Sequence, residues 1–266
     1  MSDSPPRRFL IVTTARSGSN QLVDYINQTD TALCLGEIFK ESYWQLPDDN
    51  QALIGGCFGG VALAERELEI DPVAYWDRIV RVLGTHRALG AKLFYEHRVG
   101  SALWDELFER GTLIIHLWRN PILESFLSLV RAELTNEWVI RDAGAAARPP
   151  PVWFDASRYR AYREFTRERF EAIRRRQGAA AHYVEVEYGM MRRKAELAHL
   201  LDALFSARGN YVETLVKQAP ADLLENVVNP GDAEPYVGDR LDPAVPSSGV
   251  GSSESGGTLA TSPNGS

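Results

Sequence analysis

The stretch Arg8-Phe9-Leu10-Ile11-Val12-Thr13-Thr14-Ala15-Arg16-Ser17-Gly18-Ser19-Asn20 decides how the rest of the chain is read. Arg8 to Thr14 is a short apolar run rich in β-formers, the pattern of a buried strand in a parallel sheet. A turn of small residues follows, and beyond it Leu22, Tyr25 and Ile26 share one helical face. A strand, a tight turn and a helix make an anion-binding arrangement, because the first N–H groups of the helix have no internal partner and point at the turn. Gly18 permits close approach or a positive φ. Arg16 adds a charged fork suited to phosphate oxygens, and Ser17, Ser19 and Asn20 add side-chain donors. A helix end alone contributes only about 0.3–1 kcal/mol per anionic group, so Arg16 and the hydroxyls must supply much of the grip. Taken by itself, the segment also fits an ordinary Gly/Ser turn. It is not a Walker A loop, since no Gly-Lys pair occurs and the Ser/Thr ligand for Mg²⁺ is missing with it. A nucleoside triphosphatase is therefore disfavoured.

Further along, strands and helices alternate, which indicates a parallel α/β sheet. Asp71-Pro72 starts a helix through about Leu83, and Ala88 to Tyr95 reads as a strand. Ser101 to Arg110 is a predicted helix closed by Gly111, and Thr112 to Trp118 is the clearest strand of all. Pro121 opens a helix through about Glu133. Ser157 to Gln177 is a long charged helix, with Arg174-Arg175-Arg176 as its solvated end. His182 to Tyr188 is a strand and Arg193 to Phe205 a helix. From about Asp232 the composition shifts, and Val245 to Ser266 is rich in Ser, Gly, Thr and Pro, so residues 1–231 are expected as one domain and 232–266 as a disordered tail.

The 266 residues are 44% hydrophobic and 24% charged, with a formal charge of −7. That balance is globular and argues against a generic nucleic-acid binder, while leaving room for a local basic site. Cys34 and Cys57 form no CxxC pair, which favours a reducing compartment. No apolar run nears the ~20 residues that cross a bilayer, so a cytoplasmic protein is expected. No His, Cys, Asp and Glu grouping has metal-site spacing. Oligomeric state is not readable, and a homodimer stays open.

A second basic motif follows the Thr112–Trp118 strand. Arg119 lies at the strand's carboxyl end, where ligands collect in open α/β sheets. Ser125 and Ser128 share a face of the next helix, and either, with Arg119, can clamp a second phosphate. Lys92, inside an apolar strand, needs a partner if its ammonium is buried, either an anionic cofactor or Glu37; the alternative is a stem that reaches solvent. His97 follows the same strand as a base, a substrate contact or a structural imidazole. His86, His182 and His199 have no surrounding constellation, and His116 belongs to the core. Tyr43, Trp44, Trp138 and Trp153 fall in loops or element ends, where aromatics stack on an adenine or a sugar or cap the core edge.

Together these two anion clamps resemble the sulfotransferases that use 3′-phosphoadenosine 5′-phosphosulfate (PAPS), with a Thr-x-x-Arg-Ser-Gly-Ser loop and an Arg…Ser pair. The likeness is closest to the bacterial carbohydrate enzymes of the trehalose, Nod-factor and lipopolysaccharide type. Leu35-Gly36-Glu37-Ile38-Phe39 is similar to their Gly-Glu-x-Phe segment, and Gly90-Ala91-Lys92-Leu93-Phe94-Tyr95 to their Gly-x-Lys-Leu strand. Val184-Glu185-Val186-Glu187-Tyr188 matches their late strand, and Lys217-Gln218 with Asn229 their C-terminal signature. Departures are Asn20 in place of Thr, an Arg119-to-Ser128 interval one residue longer, and no acid after Tyr188.

The resemblance implies a P-loop-type parallel sheet flanked by helices. It also implies sulfuryl transfer from PAPS, without a metal, to a small hydroxylated acceptor such as a saccharide or glycolipid. Arg16, Ser17, Gly18, Ser19, Asn20, Arg119, Ser128 and Lys217 would hold the donor, while Lys92 and His97 would face the acceptor. Glu37 would be the general base, its pKa expected to rise beside an anionic donor, and Arg16 would contact the transferring group. The segments Tyr43–Gly60 and Trp138–Phe154 are expected to face the acceptor. The competing readings are a phosphotransferase of P-loop type and a nucleotide-binding protein that does no chemistry.

Overall fold

A computed structural model describes residues 8–40, 46, 48–84, 88–98, 103–139, 150–180, 182–207, 211–212, 215 and 223–241. Its centre is a five-stranded sheet ordered β2-β3-β1-β4-β5, made of β1 (Arg8–Thr13), β2 (Ala32–Cys34), β3 (Ala88–Phe94), β4 (Leu113–Trp118) and β5 (His182–Glu187). Every pairing is parallel. From β1 the chain passes through α1 (Ser19–Asn27) to β2 at one edge, and after β3 it crosses to β4 on the other side of β1. The loops leaving β1 and β4 therefore open a crevice at the carboxyl ends, where such sheets bind ligands.

Period-2 alternation explains how both faces are covered. In β1, Leu10 and Val12 point into one apolar layer with Ile54, Phe58, Ala64, Leu68, Trp76, Ile79 and Leu107. These come from α2 (Asp48–Phe58), α3 (Val61–Ile70), α4 (Pro72–Leu83) and α5 (Leu103–Glu109). Phe9 and Ile11 point the other way, to Leu22 and Ile26 of α1. Met191 of α8 (Tyr188–Arg192) and Leu197, Leu201 and Phe205 of α9 (Lys194–Phe205) complete that layer. Each side chain buried in this way is worth about 1.5–3 kcal/mol. Gly90 is required here: a Cβ on it would lie 2.1 Å from the Phe9 ring.

The expected alternation of strands and helices is present, and Asp71 accepts from the Val73 and Ala74 N–H groups as the N-cap of α4. Two expectations need correction. Within Tyr43–Gly60, residues 48–58 form α2, and Ile54, Cys57 and Phe58 are buried in the core. The composition shift at Asp232 is also not the end of the packed chain. Ala233 and Leu241 are buried, packed with α6 (Ile122–Thr135) and α7 (Ala156–Arg175), because two asparagines hold this segment. Asn229 exchanges amide hydrogen bonds with the Phe154 backbone, and Asn120 does the same with Leu241. Residues 242–266 of the expected tail lie outside the described residues. Among the described residues, no helix is long and apolar enough to cross a membrane.

Candidate active site

The loop after β1 is braced from inside. Thr13 Oγ1 lies 2.7 Å from the Leu117 carbonyl and 2.7 Å from Ser17 Oγ. A carbonyl only accepts, so Thr13 donates to Leu117 and Ser17 donates to Thr13. The Ser17 hydroxyl, expected as a cofactor donor, is fully buried in that brace. Arg16 then adopts φ 63° and Gly18 φ 91°. A non-glycine residue in the left-handed region costs roughly 1–2 kcal/mol, which is the kind of strain that functional loops carry. Gly18 is the N-cap of α1 and has no side chain to satisfy the N–H groups of the first turn. Ser19, the first residue of that helix, is buried at the same turn.

The two basic motifs meet. Arg16 Nε donates to Ser128 Oγ at 2.9 Å, and Arg16 Nη1 to the Trp138 carbonyl at 2.5 Å. Arg119 Nη1 donates to the Arg16 carbonyl at 3.0 Å, while Nη2 pairs with Glu124 at 2.5 Å. The Arg119 guanidinium lies 4.1 Å from the centre of the Tyr188 ring, and that ring packs on Gly18, where a Cβ would come within 2.4 Å of it. Burial and the neighbouring Arg119 charge pull the Arg16 guanidinium down to about 10, with Tyr188 opposing. Two guanidinium groups held this close favour an anion between or beside them.

A second cluster lies on the β3 side. Beyond β2 the chain stays in register with β3, the Lys92 N–H bonding to the Gly36 carbonyl at 2.7 Å, so Glu37 arrives beside Lys92. The Lys92 ammonium, 3% exposed, donates to Glu37 Oε1 at 2.9 Å and to Asn20 Oδ1 at 2.5 Å. Glu37 Oε2 also faces Lys40 Nζ at 3.6 Å. Burial pushes the Glu37 carboxyl up, but Lys92, by charge and hydrogen bond, and then Lys40 and His97 hold it below the ordinary value of 4.5. The rise expected beside an anionic donor is a separate effect; in the protein alone the nearest charge to the carboxyl is the Lys92 ammonium. Lys92 is buried and paired rather than stretched to solvent, and it ties Asn20 of the first loop to Glu37.

His97 Nδ1 accepts from the Phe94 N–H at 3.3 Å, and its ring stacks on Phe94 at 5.0 Å. Burial first, then the Lys40, Lys92 and Arg98 charges, lower it to about 4 against the pull of Glu37. The neutral ring therefore carries its proton on Nε2 and offers a donor, which removes His97 as a base at that nitrogen. Lys217, Tyr43 and Trp44 lie outside the described residues. Trp138 and Trp153 are exposed.

Tyr188, Glu124 and the Trp138 carbonyl were not singled out as site groups from the sequence. Tyr188 had a signal, as the last residue of the late-strand motif. Glu124 had a weaker one, an acid in the first turn of the helix that follows Arg119. A backbone carbonyl leaves no trace in a sequence.

No family model matches the chain. It is similar to Nodulation protein H of Rhizobium meliloti, 28% identical over 168 residues that cover 60% of this chain and 62% of that protein. The Nodulation protein H of Rhizobium meliloti strain 1021 is 27% identical over 162 residues, again 60% and 62% of the two chains. The match spans less than two thirds of the length of these relatives. Among solved structures the chain is similar to the sulfotransferase domain of the Synechococcus PCC 7002 olefin synthase, with a TM-score of 0.47 and 15% identity over 92% of this chain and 87% of that one. A sulfotransferase from Alicyclobacillus acidocaldarius gives a TM-score of 0.46 and 14% identity over 89% and 97% of the two chains. The motif residues follow the strands in chain order. Arg16 follows β1, Glu37 follows β2, Lys92 lies in β3 and Arg119 follows β4. Among the described residues, no group of three or more His, Cys, Asp or Glu could hold a metal ion.

Proposed function

We propose that the protein transfers a sulfuryl group from PAPS to a hydroxyl of a carbohydrate or glycolipid by in-line displacement, with Glu37 as general base. The observation that carries this reading is the contact of the two basic motifs, Arg16 with Ser128 at 2.9 Å and Arg119 with the Arg16 carbonyl at 3.0 Å. A nucleotide bearing two phosphate groups then finds cationic donors for both on one side of the sheet. Arg119 Nε and Ser125 Oγ are buried and have no partner among the described residues, and an anionic oxygen satisfies such groups. The donor fits this cradle. The likeness to the Nod-factor type of sulfotransferase favours a saccharide acceptor.

When bound, the donor supplies an activated sulfuryl group. The chain's own residues position it and move one proton. Arg16 and the N-terminal N–H groups of α1 would hold the departing phosphate and offset the charge that develops on it. Glu37 is ionised at neutral pH because Lys92 holds it so, and it can accept the acceptor's hydroxyl proton. A base held this low takes the proton only as the new sulfur–oxygen bond forms and acidifies the hydroxyl. Most of the acceleration would then come from positioning and electrostatics, as in phosphoryl transfer.

The test is incubation of the purified protein with ³⁵S-labelled PAPS and a panel of sugars, glycolipids and phenols. Label on a saccharide, with one adenosine 3′,5′-bisphosphate released per transfer, supports the reading. Mg²⁺-dependent consumption of ATP without sulfuryl transfer would make the protein a phosphotransferase. Binding of the bisphosphate with no transfer to any acceptor would make it a non-catalytic nucleotide binder.

A further inference from the structure

α6 does not lead away from the loop after β1. Ser128, within the helix, and Trp138, just past its end, both bond the same Arg16 side chain, so the length of α6 between them runs alongside that loop. Arg131 lies on this length, one turn after Ser128 and on the same flank. It is only 3% exposed, yet Nε, Nη1 and Nη2 all lack a hydrogen-bond partner among the described residues. The next polar group along the flank is turned elsewhere: the Thr135 hydroxyl donates to the Arg131 backbone carbonyl at 3.0 Å and accepts from the Glu137 N–H at 3.2 Å.

A guanidinium cannot resolve this by losing its proton at neutral pH, although burial lowers its pKa. A lone buried charge is among the most costly arrangements in a protein interior, and it persists where a counter-charge arrives. Its planar fork matches two oxygens of a phosphate.

We propose that Arg131, with Ser128 one turn before it, forms an anion subsite on α6 that takes a phosphate-type dianion. In the choice of occupant, a phosphate of the nucleotide, this rests on the function proposed above.

The variants are Arg131→Met, which keeps length and apolar volume, and Arg131→Lys, which keeps the charge without the fork. Calorimetry with adenosine 3′,5′-bisphosphate, AMP and inorganic phosphate is set beside thermal unfolding in phosphate-free buffer. Arg131→Met should bind the bisphosphate about 10- to 100-fold more weakly and AMP as the wild type does. Its unliganded Tm should equal or exceed that of the wild type, because an unpaired buried charge has gone. Arg131→Lys should fall between the two. A structural residue gives the opposite pattern, a lowered Tm with unchanged affinities, and that result overturns the proposal. If the Met variant does not fold, Arg131→Lys decides alone, and unchanged bisphosphate affinity there overturns it equally. If the wild type binds inorganic phosphate through Arg131 but binds the bisphosphate no better than AMP, the subsite stands for a free or acceptor-borne anion. The nucleotide reading is then what fails.

Discussion

Arg16 Nε donates to Ser128 Oγ across 2.9 Å, joining the loop after β1 to the middle of α6. The bond aims a guanidinium whose backbone is already in the left-handed region at φ 63°. Removing the hydroxyl frees one end of the fork while the Trp138 carbonyl keeps the other. A hydrogen bond to a charged group contributes about 1.5–3 kcal/mol. Ser128→Ala is therefore expected to weaken adenosine 3′,5′-bisphosphate binding by tenfold or slightly more, measured by calorimetry, with little change in Tm. Wild-type affinity would mean that Ser128 does not organise the nucleotide site.

Glu37 and Lys92 give a prediction about chemistry rather than binding. Glu37→Gln keeps an oxygen for the Lys92 ammonium but cannot take a proton. Turnover should fall about 10²- to 10⁴-fold, the usual worth of a positioned base, with bisphosphate affinity nearly unchanged. A variant with wild-type turnover removes Glu37 from this role.

Lys92→Met should move the pH profile in a stated direction. In the wild type, Lys92 is the chief group holding Glu37 below 4.5 against burial, which pushes it up. With the ammonium gone, burial acts with less opposition and the Glu37 pKa rises. The ionised carboxylate is the active base, so the acid limb of kcat/KM should shift to higher pH. An acid limb at the same pH in both proteins would separate Glu37 from the profile.

The sequence was informative where chemistry or periodicity leaves local marks. The run Phe9 to Thr13, the loop Arg16 to Asn20 and the strand Leu113–Trp118 are continuous in the chain, and their pattern alone supplied the sheet and both basic motifs. α2 was missed because Gly55 and Gly56 lower its helix propensity, while burial of Ile54, Cys57 and Phe58 against the sheet holds it in place. The pairing of Lys92 with Glu37 was open in the sequence, where the anionic cofactor was the other candidate partner. It depends on the Lys92 N–H bonding to the Gly36 carbonyl, a pairing between segments far apart in the chain. Arg131 carries no mark in the sequence, since only packing reveals that it is buried and without a partner among the described residues.

Gly18 joins backbone conformation to the site's far wall. Its φ of 91° suits glycine, and an added Cβ would meet the Tyr188 ring at 2.4 Å. That ring also supports Arg119, so a methyl group here displaces both. Gly18→Ala should lose about 1–3 kcal/mol of stability and at least tenfold in bisphosphate affinity. Denaturant titration and calorimetry on the same sample read the two effects, and a variant with native affinity would show that the close packing of Gly18 on Tyr188 is dispensable.

The two buried imidazoles set how the fold responds to acid. Burial and nearby cations lower His97 to about 4. Burial and Arg174 lower His116 to about 3, where it is fixed between the Tyr95 hydroxyl at 2.6 Å and the Tyr183 hydroxyl at 2.5 Å. In the unfolded chain both take up protons near 6.5. Between pH 6.5 and 4 the unfolded state thus binds more protons than the folded one, and stability falls as pH falls. Glu37, with a folded pKa below 4.5, adds nothing until lower pH. Glu96, raised above 4.5 by burial and then by Glu37, works against the histidines, so the His97 share is read as the difference between wild type and variant. Each tenfold change in proton affinity is worth about 1.4 kcal/mol, so His97 alone should account for about 2–3 kcal/mol lost between pH 7.5 and 4.5. His97→Asn keeps an acceptor for the Phe94 N–H but does not titrate, and urea unfolding should show its loss over that range reduced by this amount. An identical pH dependence in wild type and His97→Asn would mean that the folded state already accepts a proton on His97 near its ordinary pKa, and that the imidazole is not held neutral in the site.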